Sequence, residues 1–353
     1  MQSNLFLEAA ELIKTQHEQL AERIMQRSGI YLNMRYNQYQ KDKCYQDTLY
    51  NLQYLAETLI MESPTVWENY IHWLAKLLGS LGLNLHELAD YFRVMGEVMG
   101  EELEGQTASF VAKLAQSAVS IVLSGGSGII SAHDSSGKYL AEAKRYQELL
   151  LTAQKRKALD YIDHLVERGV PFRNIYLDIL QPVQREIGNL WHTNKISVAQ
   201  EHYCTGVTQL AIARIYPHMF NSKPSKFKMV GTCVQGELHE LGLRMVTDIM
   251  ELDGWDTMYL GANMPNDSIV SMIKEQKADL VAISVTFPLN LHKAEKLISQ
   301  IRAESELNKV RILVGGYAFM QDATLWQKIG ADSFAPNADL ASKVATNMVE
   351  SVK

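Results

Sequence analysis

The 353-residue chain is poor in cysteine, in excess positive charge and in long apolar runs. Its three cysteines, Cys44, Cys204 and Cys233, show neither the paired spacing of a metal site nor a disulfide framework. A net charge of -6 argues against a nucleic-acid-binding surface, which needs clustered Lys and Arg. No apolar run reaches the length of a membrane-spanning helix, and no signal peptide opens the chain. We therefore expect a cytoplasmic protein that binds neither nucleic acid nor membrane.

Composition and periodicity divide the chain into four segments. Residues 1–122 have the apolar spacing of helices, over about 3–28, 47–61, 65–81 and 85–122. A Gly- and Ser-rich stretch at 123–137 predicts a flexible linker. Residues 138–221 predict four helices, with breaks near Gln154, at 169–171 and at 193–194.

Residues 226–353, which follow a short linker near 221–225, alternate between strand and helix patterns. The expected strands are buried, β-branched runs at 227–234, 256–260, 279–285, 310–314 and 332–335. This alternation predicts an α/β fold, a doubly wound, five-stranded parallel sheet of Rossmann-like type. Ligands of such sheets bind at the carboxyl ends of the strands.

Three short motifs follow the first, third and fourth of these strands at fixed distances. An acid-x-His-x-x-Gly motif is followed after 41 residues by Ser-x-Thr, and after 28 more by Gly-Gly. The residues are Glu237, His239, Gly242, Ser284, Thr286, Gly315 and Gly316. Together these motifs resemble the cobalamin-binding domain of methionine synthase, the corrinoid mutases and their relatives. Taken alone, His239 could be a satisfied loop histidine beside glycines that merely turn the chain.

The resemblance implies a role for each of these residues. His239 would replace the cofactor's dimethylbenzimidazole as the lower axial ligand of cobalt, with Glu237 accepting a hydrogen bond from its second ring nitrogen. The displaced tail would thread past the Ser-x-Thr and Gly-Gly segments. Many family members have Asp where this chain has the longer side chain of Glu237.

A second motif lies in the predicted four-helix segment. Trp191 is followed by nine residues and then by Glu201 and His202. This spacing resembles light-responsive cobalamin receptors of the CarH type, whose helical cap covers the upper face of the corrin. The resemblance implies that Trp191 packs on the adenosyl group, that Glu201 bonds its ribose or adenine, and that His202 caps or packs. His192 would ligate cobalt from above after light breaks the cobalt–carbon bond. On composition alone, a Trp in a bundle is usually core.

The N-terminal segment is rich in aromatic residues. Between residues 31 and 54 it holds Tyr31, Tyr36, Tyr39, Tyr45, Tyr50 and Tyr54, and further on Trp67, Tyr70 and Trp73. The arrangement resembles the helical domain of the photocobilins, receptors that pair cobalamin with a bilin such as biliverdin. In that reading Arg35 or His72 meets a bilin propionate or pyrrole, and Cys44 is a candidate thioether site. The alternative is that the aromatics are core and dimer-contact residues of a plain helical bundle.

These patterns lead to one leading hypothesis and two rivals. The leading hypothesis is a cobalamin-dependent light sensor, not an enzyme. It binds adenosylcobalamin, changes domain packing or oligomeric state on illumination, and signals through itself or a downstream protein partner. The first rival is a corrinoid methyl carrier that serves methyltransferase partners. The second is a cobalamin sensor without photochemistry. A mutase is not expected, because the chain has no room for a substrate-binding barrel of roughly 250 residues.

Overall fold

The computed structural model describes residues 2–30, 33–126, 138–219 and 227–351. The chain forms two compact units, Met1–Ile129 and Ile130–Lys353. Most of the predicted 123–137 linker, the predicted short linker near 221–225 and Tyr31 lie outside the described residues. None of the helices in the described parts has the length and apolar character needed to cross a membrane.

The first unit is helical, as expected. Its helices are α1 (Gln2–Arg27), α2 (Gln38–Met61), α3 (Pro64–Ser80), α4 (Leu85–Glu102) and α5 (Gly105–Leu123). The single helix expected over 85–122 is therefore wrong: Leu103 adopts an extended conformation and Gly105 a positive φ of 60°, which end α4 and turn the chain. Helix α2 begins nine residues earlier than expected, because Asn37 and Gln40 form a reciprocal capping box.

The second unit begins with helices that pack over a parallel sheet. These helices are α6 (Leu140–Leu151), α7 (Lys155–Glu167), the short α8 (Phe172–Asn174), α9 (Gln181–His192) and α10 (Val198–Ile215). A π-helical segment, Ile175–Leu180, joins α8 to α9 without a break. The chain thus forms the four expected helices, and we call residues 140–215 the cap.

The sheet has the expected five parallel strands. They are β1 (Lys228–Val234), β2 (Asp256–Met264), β3 (Leu280–Ser284), β4 (Arg311–Gly315) and β5 (Ser333–Ala335), in the order β2-β1-β3-β4-β5. The principal helices around it are α11 (Leu241–Leu252), α12 (Asn266–Gln276), α13 (Leu291–Ala303) and α16 (Ala338–Glu350), with short α14 (Tyr317–Met320) and α15 (Leu325–Lys328). The fold class expected from the sequence is confirmed.

Buried polar contacts connect the cap to α11 and α16. The Tyr176 hydroxyl donates to Asp248 Oδ2 at 2.8 Å, and both side chains are almost fully buried. Arg173, just before the π-helical segment, donates to Asp253 at 2.5 Å and to Asp339 at 2.7 Å. Apolar residues of the cap share one core cluster with residues of α11. The cap therefore rests directly on the helix that follows the His239 loop.

Candidate functional site

The motif residues meet at the carboxyl edge of the sheet. Strand β2 pairs with one edge of β1, and β3 pairs with the other edge. The order of the strands therefore reverses direction between β1 and β3, which makes this position a topological switch point. Cys233 at the end of β1 pairs in register with Ser284 of β3, and Ser284 pairs with Gly315 of β4. The three loops that carry the motifs are therefore neighbours at the position where doubly wound sheets bind ligands.

His239 and Glu237 form a closely bonded pair in the first loop. The His239 Nδ1–H donates to Glu237 Oε1 at 2.6 Å, and the His239 backbone N–H donates to the same oxygen at 3.0 Å. The imidazole side chain is 60% exposed, whereas the Glu237 side chain is 1% exposed. With Nδ1 engaged, Nε2 is the ring nitrogen that remains for a metal.

The same contacts shift both pKa values. The hydrogen bond to Glu237 raises the pKa of His239, burial opposes the rise, and the negative charges of Glu237 and then Glu201 add to it. Burial pushes the pKa of Glu237 upward, but hydrogen bonds from His239 and the Phe287 backbone outweigh burial and leave that pKa lowered. The contribution of Glu201 shows that this cap residue lies within electrostatic reach of the imidazole.

Three donors from the loop after β3 hold the second carboxylate oxygen of Glu237. The backbone N–H groups of Thr286 and Phe287 donate to Oε2 at 3.0 and 2.8 Å, and Asn290 Nδ2 donates to it at 3.2 Å. The Phe287 ring stacks on the His239 ring, with centroids 6.3 Å apart and an interplanar angle of 22°. The longer arm of glutamate therefore reaches the Ser-x-Thr loop after β3 while it still holds the histidine.

The glycines of the motifs have different structural requirements. Gly316 has a φ of 99°, and a Cβ at this position would lie 2.3 Å from the carbonyl oxygen of Val285. A Cβ on Gly315 would lie 3.1 Å from the carbonyl oxygen of Ala335. A Cβ on Gly242, by contrast, would meet no atom within 4 Å, so space is open beside it. The Gly-Gly turn thus needs glycine for its own packing, whereas Gly242 borders a free volume.

The cap places its predicted residues at the end of α9 and the start of α10. Trp191 and Glu201 are partly buried, and Thr205 donates to Glu201 Oε1 at 2.9 Å. His202 is exposed, and its Nδ1 lies 2.8 Å from Glu201 Oε2. His192 is only 2% exposed. A role for His192 as an upper cobalt ligand would therefore require the cap to rearrange.

The predicted aromatics of the first unit divide into two groups: Tyr54, Trp67, Tyr70 and Trp73 pack together, whereas Tyr39 and Tyr50 are exposed. Tyr54 and Tyr70 stack with centroids 3.6 Å apart, and Trp67 donates to the backbone of α5. A void beside Trp67 measures about 10 Å³, too small for a bilin and at the lower limit for a water molecule. Arg35 is 82% exposed and pairs with Glu87, whereas His72 Nδ1 is buried without a hydrogen-bond partner. Tyr54, Trp67 and Tyr70 thus have the packing expected of core residues.

Several residues of the site were not anticipated from the sequence. Asn290 and Phe287 contact the Glu237–His239 pair from the loop after β3. Asn263, at the end of β2 with a φ of 54°, accepts from the Gly236 backbone and donates its own N–H to the Glu237 carbonyl. A lone Asn is a weak sequence signal, because Asn is common in loops for local reasons.

The donor set fits a corrinoid. One exposed imidazole, oriented by a buried carboxylate, offers a single nitrogen to a metal, and Gly242 of the same motif faces open space. The glycine turn after β4 brings a backbone without side chains close to the same edge of the sheet. The class of protein that this fold and site define is a cobalamin-binding protein with a helical cap.

Comparisons with protein families agree with this class. Residues 227–344 match the B12 binding domain, and residues 142–216 match a second B12 binding domain model. Residues 2–121 match the phycobilisome protein family. We call the cap and the sheet domain, which match these two models, the B12-binding module; residues 2–121 resemble a different family.

Individual relatives resemble the B12-binding module. Monomethylamine corrinoid protein 1 of Methanosarcina acetivorans is 23% identical over 52% of this chain and 87% of its own length. Dimethylamine corrinoid protein of Methanosarcina barkeri is 29% identical over 34% of this chain and 56% of its own length. The solved monomethylamine corrinoid protein of Methanosarcina barkeri has a TM-score of 0.53 at 20% identity, over 59% of this chain and 99% of that one, which shows the shared fold. These relatives agree with the methyl-carrier alternative rather than with a light receptor.

Proposed function

We propose that the protein is a cobalamin-dependent light sensor, in which the B12-binding module responds to light and the N-terminal domain binds a bilin. The observation that carries the proposal is the joining of the two domain types in one chain. The part of this chain that matches the corrinoid relatives covers 87% of the length of one relative and 99% of another. Neither relative therefore has room for a further domain of the size of residues 2–121. This added domain matches the phycobilisome protein family, and we infer from that match that its function is connected with light.

In this proposal His239 holds cobalt from below through Nε2, and Glu237 fixes the orientation of the imidazole. The tail of the cofactor lies along two loops, those of Ser284 with Thr286 and of Gly315 with Gly316. The adenosyl form of the cofactor supplies a cobalt–carbon bond that light can break, whereas the protein steers the outcome.

The cap residues have the complementary role above the corrin. Trp191 covers the adenosyl group, and Glu201, braced by Thr205, accepts a hydrogen bond from it. His192 is buried in the dark form and becomes available to cobalt only when the cap moves. Such a movement would disturb the Tyr176–Asp248 contact and thereby the packing of the cap on α11, which gives the signal a structural route to a homo-oligomer contact or a partner protein.

The test compares spectra and assembly before and after illumination. The full chain is reconstituted in darkness with adenosylcobalamin and biliverdin, and absorption and molecular mass are recorded before and after green light. We expect a shift of the cobalamin spectrum, a change of assembly state and an added red band from the bilin. Hydroxocobalamin, which has no alkyl group to lose, serves as the control. An adenosylcobalamin complex that keeps its spectrum and mass under light would contradict the sensor.

The second candidate is a corrinoid methyl carrier, a component of a methyltransferase system rather than a catalyst by itself. The names of the relatives favour it, because they are methylamine corrinoid proteins. The cap distinguishes the two functions: a carrier needs an open upper face, and a cap that holds an adenosyl group would block transfer. Tighter binding of methylcobalamin than of adenosylcobalamin, with methyl transfer to an added corrinoid methyltransferase, would support the carrier.

A further inference from the structure

A line of hydrogen bonds leads from Glu201 into the interior of the cap. The Thr205 hydroxyl lies 2.9 Å from Glu201 Oε1 and 3.0 Å from Gln184 Oε1, and it can donate its single proton to either oxygen. Gln184 Nε2 donates to Thr208 Oγ1 at 2.6 Å, and the hydroxyl oxygens of Thr208 and Tyr146 are 3.1 Å apart. Thr208 and Tyr146 are fully buried, so the line ends in the core of the cap.

Helix periodicity brings these side chains together. Glu201, Thr205 and Thr208 follow one another at spacings of four and three residues, so they share one face of α10. Gln184 precedes Trp191 by seven residues, about two turns, and therefore lies on the same face of α9 as Trp191. The faces of the two helices that carry the predicted upper-face residues thus meet through Gln184 and Thr205.

The amide of Gln184 has a definite orientation. Its Nε2 also lies 3.5 Å from the carbonyl oxygen of Cys204, which can only accept a hydrogen bond. The amide nitrogen therefore stays on the side of Cys204 and Thr208, and Oε1 is directed to Thr205. Gln184 is thus a fixed acceptor for the Thr205 hydroxyl.

Thr205 uses its hydroxyl differently from other threonines on the helices of this unit. Thr152, Thr193, Thr247 and Thr346 each donate to the backbone carbonyl oxygen four residues earlier. That oxygen is the usual acceptor for a threonine on a helix. The Thr205 hydroxyl is directed to two side chains instead. This arrangement favours a role in holding a neighbouring side chain in place.

We propose that Thr205 and Gln184 are positioning residues that determine which upper ligand the cap accepts. The inference rests on the proposed role of Glu201 at the upper face of the corrin. The Glu201 side chain is 26% exposed, and its second oxygen, Oε2, lies 2.8 Å from His202 Nδ1. Thr205 therefore holds one carboxylate oxygen from the interior of the cap, while His202 contacts the other from the exposed side.

The two acceptors of Thr205 give Glu201 a way to exchange partners. When a hydroxyl of a bound ligand donates to Glu201, the Thr205 hydroxyl can turn to Gln184 Oε1, so that no donor is left without an acceptor. A methyl group has no hydrogen to donate and would leave the carboxylate against an apolar surface. We therefore expect a preference for an upper ligand that carries hydroxyl donors, such as a nucleoside, over a methyl group.

The experiment measures the dissociation constants of adenosylcobalamin and methylcobalamin for the full-length protein in darkness. The test variants are Thr205→Val and Gln184→Leu. Thr205→Ser keeps the hydroxyl, and Thr152→Val, which changes an exposed threonine of the cap, is the matched control. We expect Thr205→Val to bind adenosylcobalamin about 3- to 10-fold more weakly, the effect of about one hydrogen bond, and Gln184→Leu to change the affinity in the same direction.

The comparison of the two cofactors separates positioning from a structural effect. Affinity for methylcobalamin should be unchanged in every variant, and Thr205→Ser and Thr152→Val should match the wild type with both cofactors. An equal loss of affinity for both cofactors in Thr205→Val would mean that the hydroxyl only supports the fold, and the positioning role would be overturned.

A second readout needs no cofactor. In crystal structures of the apo proteins, we expect the Glu201 side chain to occupy one position in the wild type and in Thr205→Ser, but more than one in Thr205→Val. A Glu201 carboxylate that stays in place without the Thr205 hydroxyl would contradict the proposal. Circular dichroism shows whether each variant is folded, and Gln184→Leu provides both readouts if Thr205→Val does not fold.

Glu201→Ala separates failure of this inference from failure of the proposed upper-face role. If Glu201→Ala loses the preference for adenosylcobalamin while Thr205→Val and Gln184→Leu keep it, the positioning role is overturned and the role of Glu201 stands. If Glu201→Ala keeps the preference, or if the wild type binds both cofactors equally well, the role of Glu201 is wrong and the positioning role falls with it.

Discussion

Replacing Tyr176 by Phe should weaken the attachment of the cap to the sheet domain by about 1.5–3 kcal/mol, the range for hydrogen bonds to charged groups. The Tyr176 hydroxyl is buried and donates to Asp248 Oδ2 at 2.8 Å, so water does not compete for the bond. Arg244 Nε also contacts Asp248, at 2.8 Å from Oδ1. Arg244 still pairs with Asp248 in this variant, so the Asp248 carboxylate keeps a charged partner. The variant therefore loses only the hydrogen bond from Tyr176.

Hydrogen exchange followed by mass spectrometry measures this change locally, which suits a chain of more than one unit. A loss of 1.5–3 kcal/mol corresponds to about 10- to 150-fold faster exchange in peptides from the π-helical segment and α11. Tyr161→Phe, a partly exposed tyrosine of the cap, is the control and should leave these rates unchanged. Unchanged exchange in both variants would refute the idea that this bond joins the cap to the sheet domain.

Three further predictions concern other parts of the chain. Gly316→Ala should lower the unfolding free energy by at least about 1–3 kcal/mol, because alanine is strained at the positive φ of this position. Gly100→Ala, in open space on a helix, is the control and should not lower it. Thermal unfolding measures both variants. Asn51→Leu removes the partner of two buried tyrosine hydroxyls and should cost about 1–3 kcal/mol in urea unfolding of the first unit; an unchanged midpoint would contradict the network. Burial raises the pKa of Cys204 to about 11, which leaves roughly one thiol in a thousand ionised at pH 8. Iodoacetamide should therefore label half-buried Cys44 first, and labelling of Cys204 should accelerate as pH rises toward 11; faster labelling of Cys204 at pH 8 would contradict this.

The sheet domain was predictable because its signals are local and strong. Apolar, β-branched runs located the strands to within one residue at most ends, and the spacing of the motifs placed His239, Ser284 and Gly315 at one edge. The end of β2 was missed because a register shift near Gly261 carries the strand four residues further, to Met264. A bulge of this kind depends on pairing with β1 rather than on the β2 sequence.

The contacts around Glu237 were harder to anticipate. Asn290 donates to Glu237 from 53 residues away in sequence, and Lys293 donates to Asn290. Neither residue type indicates a site without its neighbours in space. The junction of α4 and α5 was missed because one glycine, Gly105, in an otherwise helical pattern is compatible with a continuous helix. The aromatic pattern of the first unit left a chromophore pocket and a packed core as alternatives, because composition alone does not distinguish packed rings from rings that line a pocket.

The π-helical segment Ile175–Leu180 determines the directions in which the side chains of α9 point. A π turn accommodates about one residue more than an α turn, and each residue of a helix is rotated by roughly 100° from the one before it. Removing one residue there would let α9 continue as a regular helix but would turn its far end by that angle. Trp191 would then leave its half-buried position and His192 its buried position, and neighbouring residues would occupy these positions instead. Sequences that share the Trp-x9-Glu-His spacing but differ by one residue in this segment would therefore have a different side chain at each of these two positions.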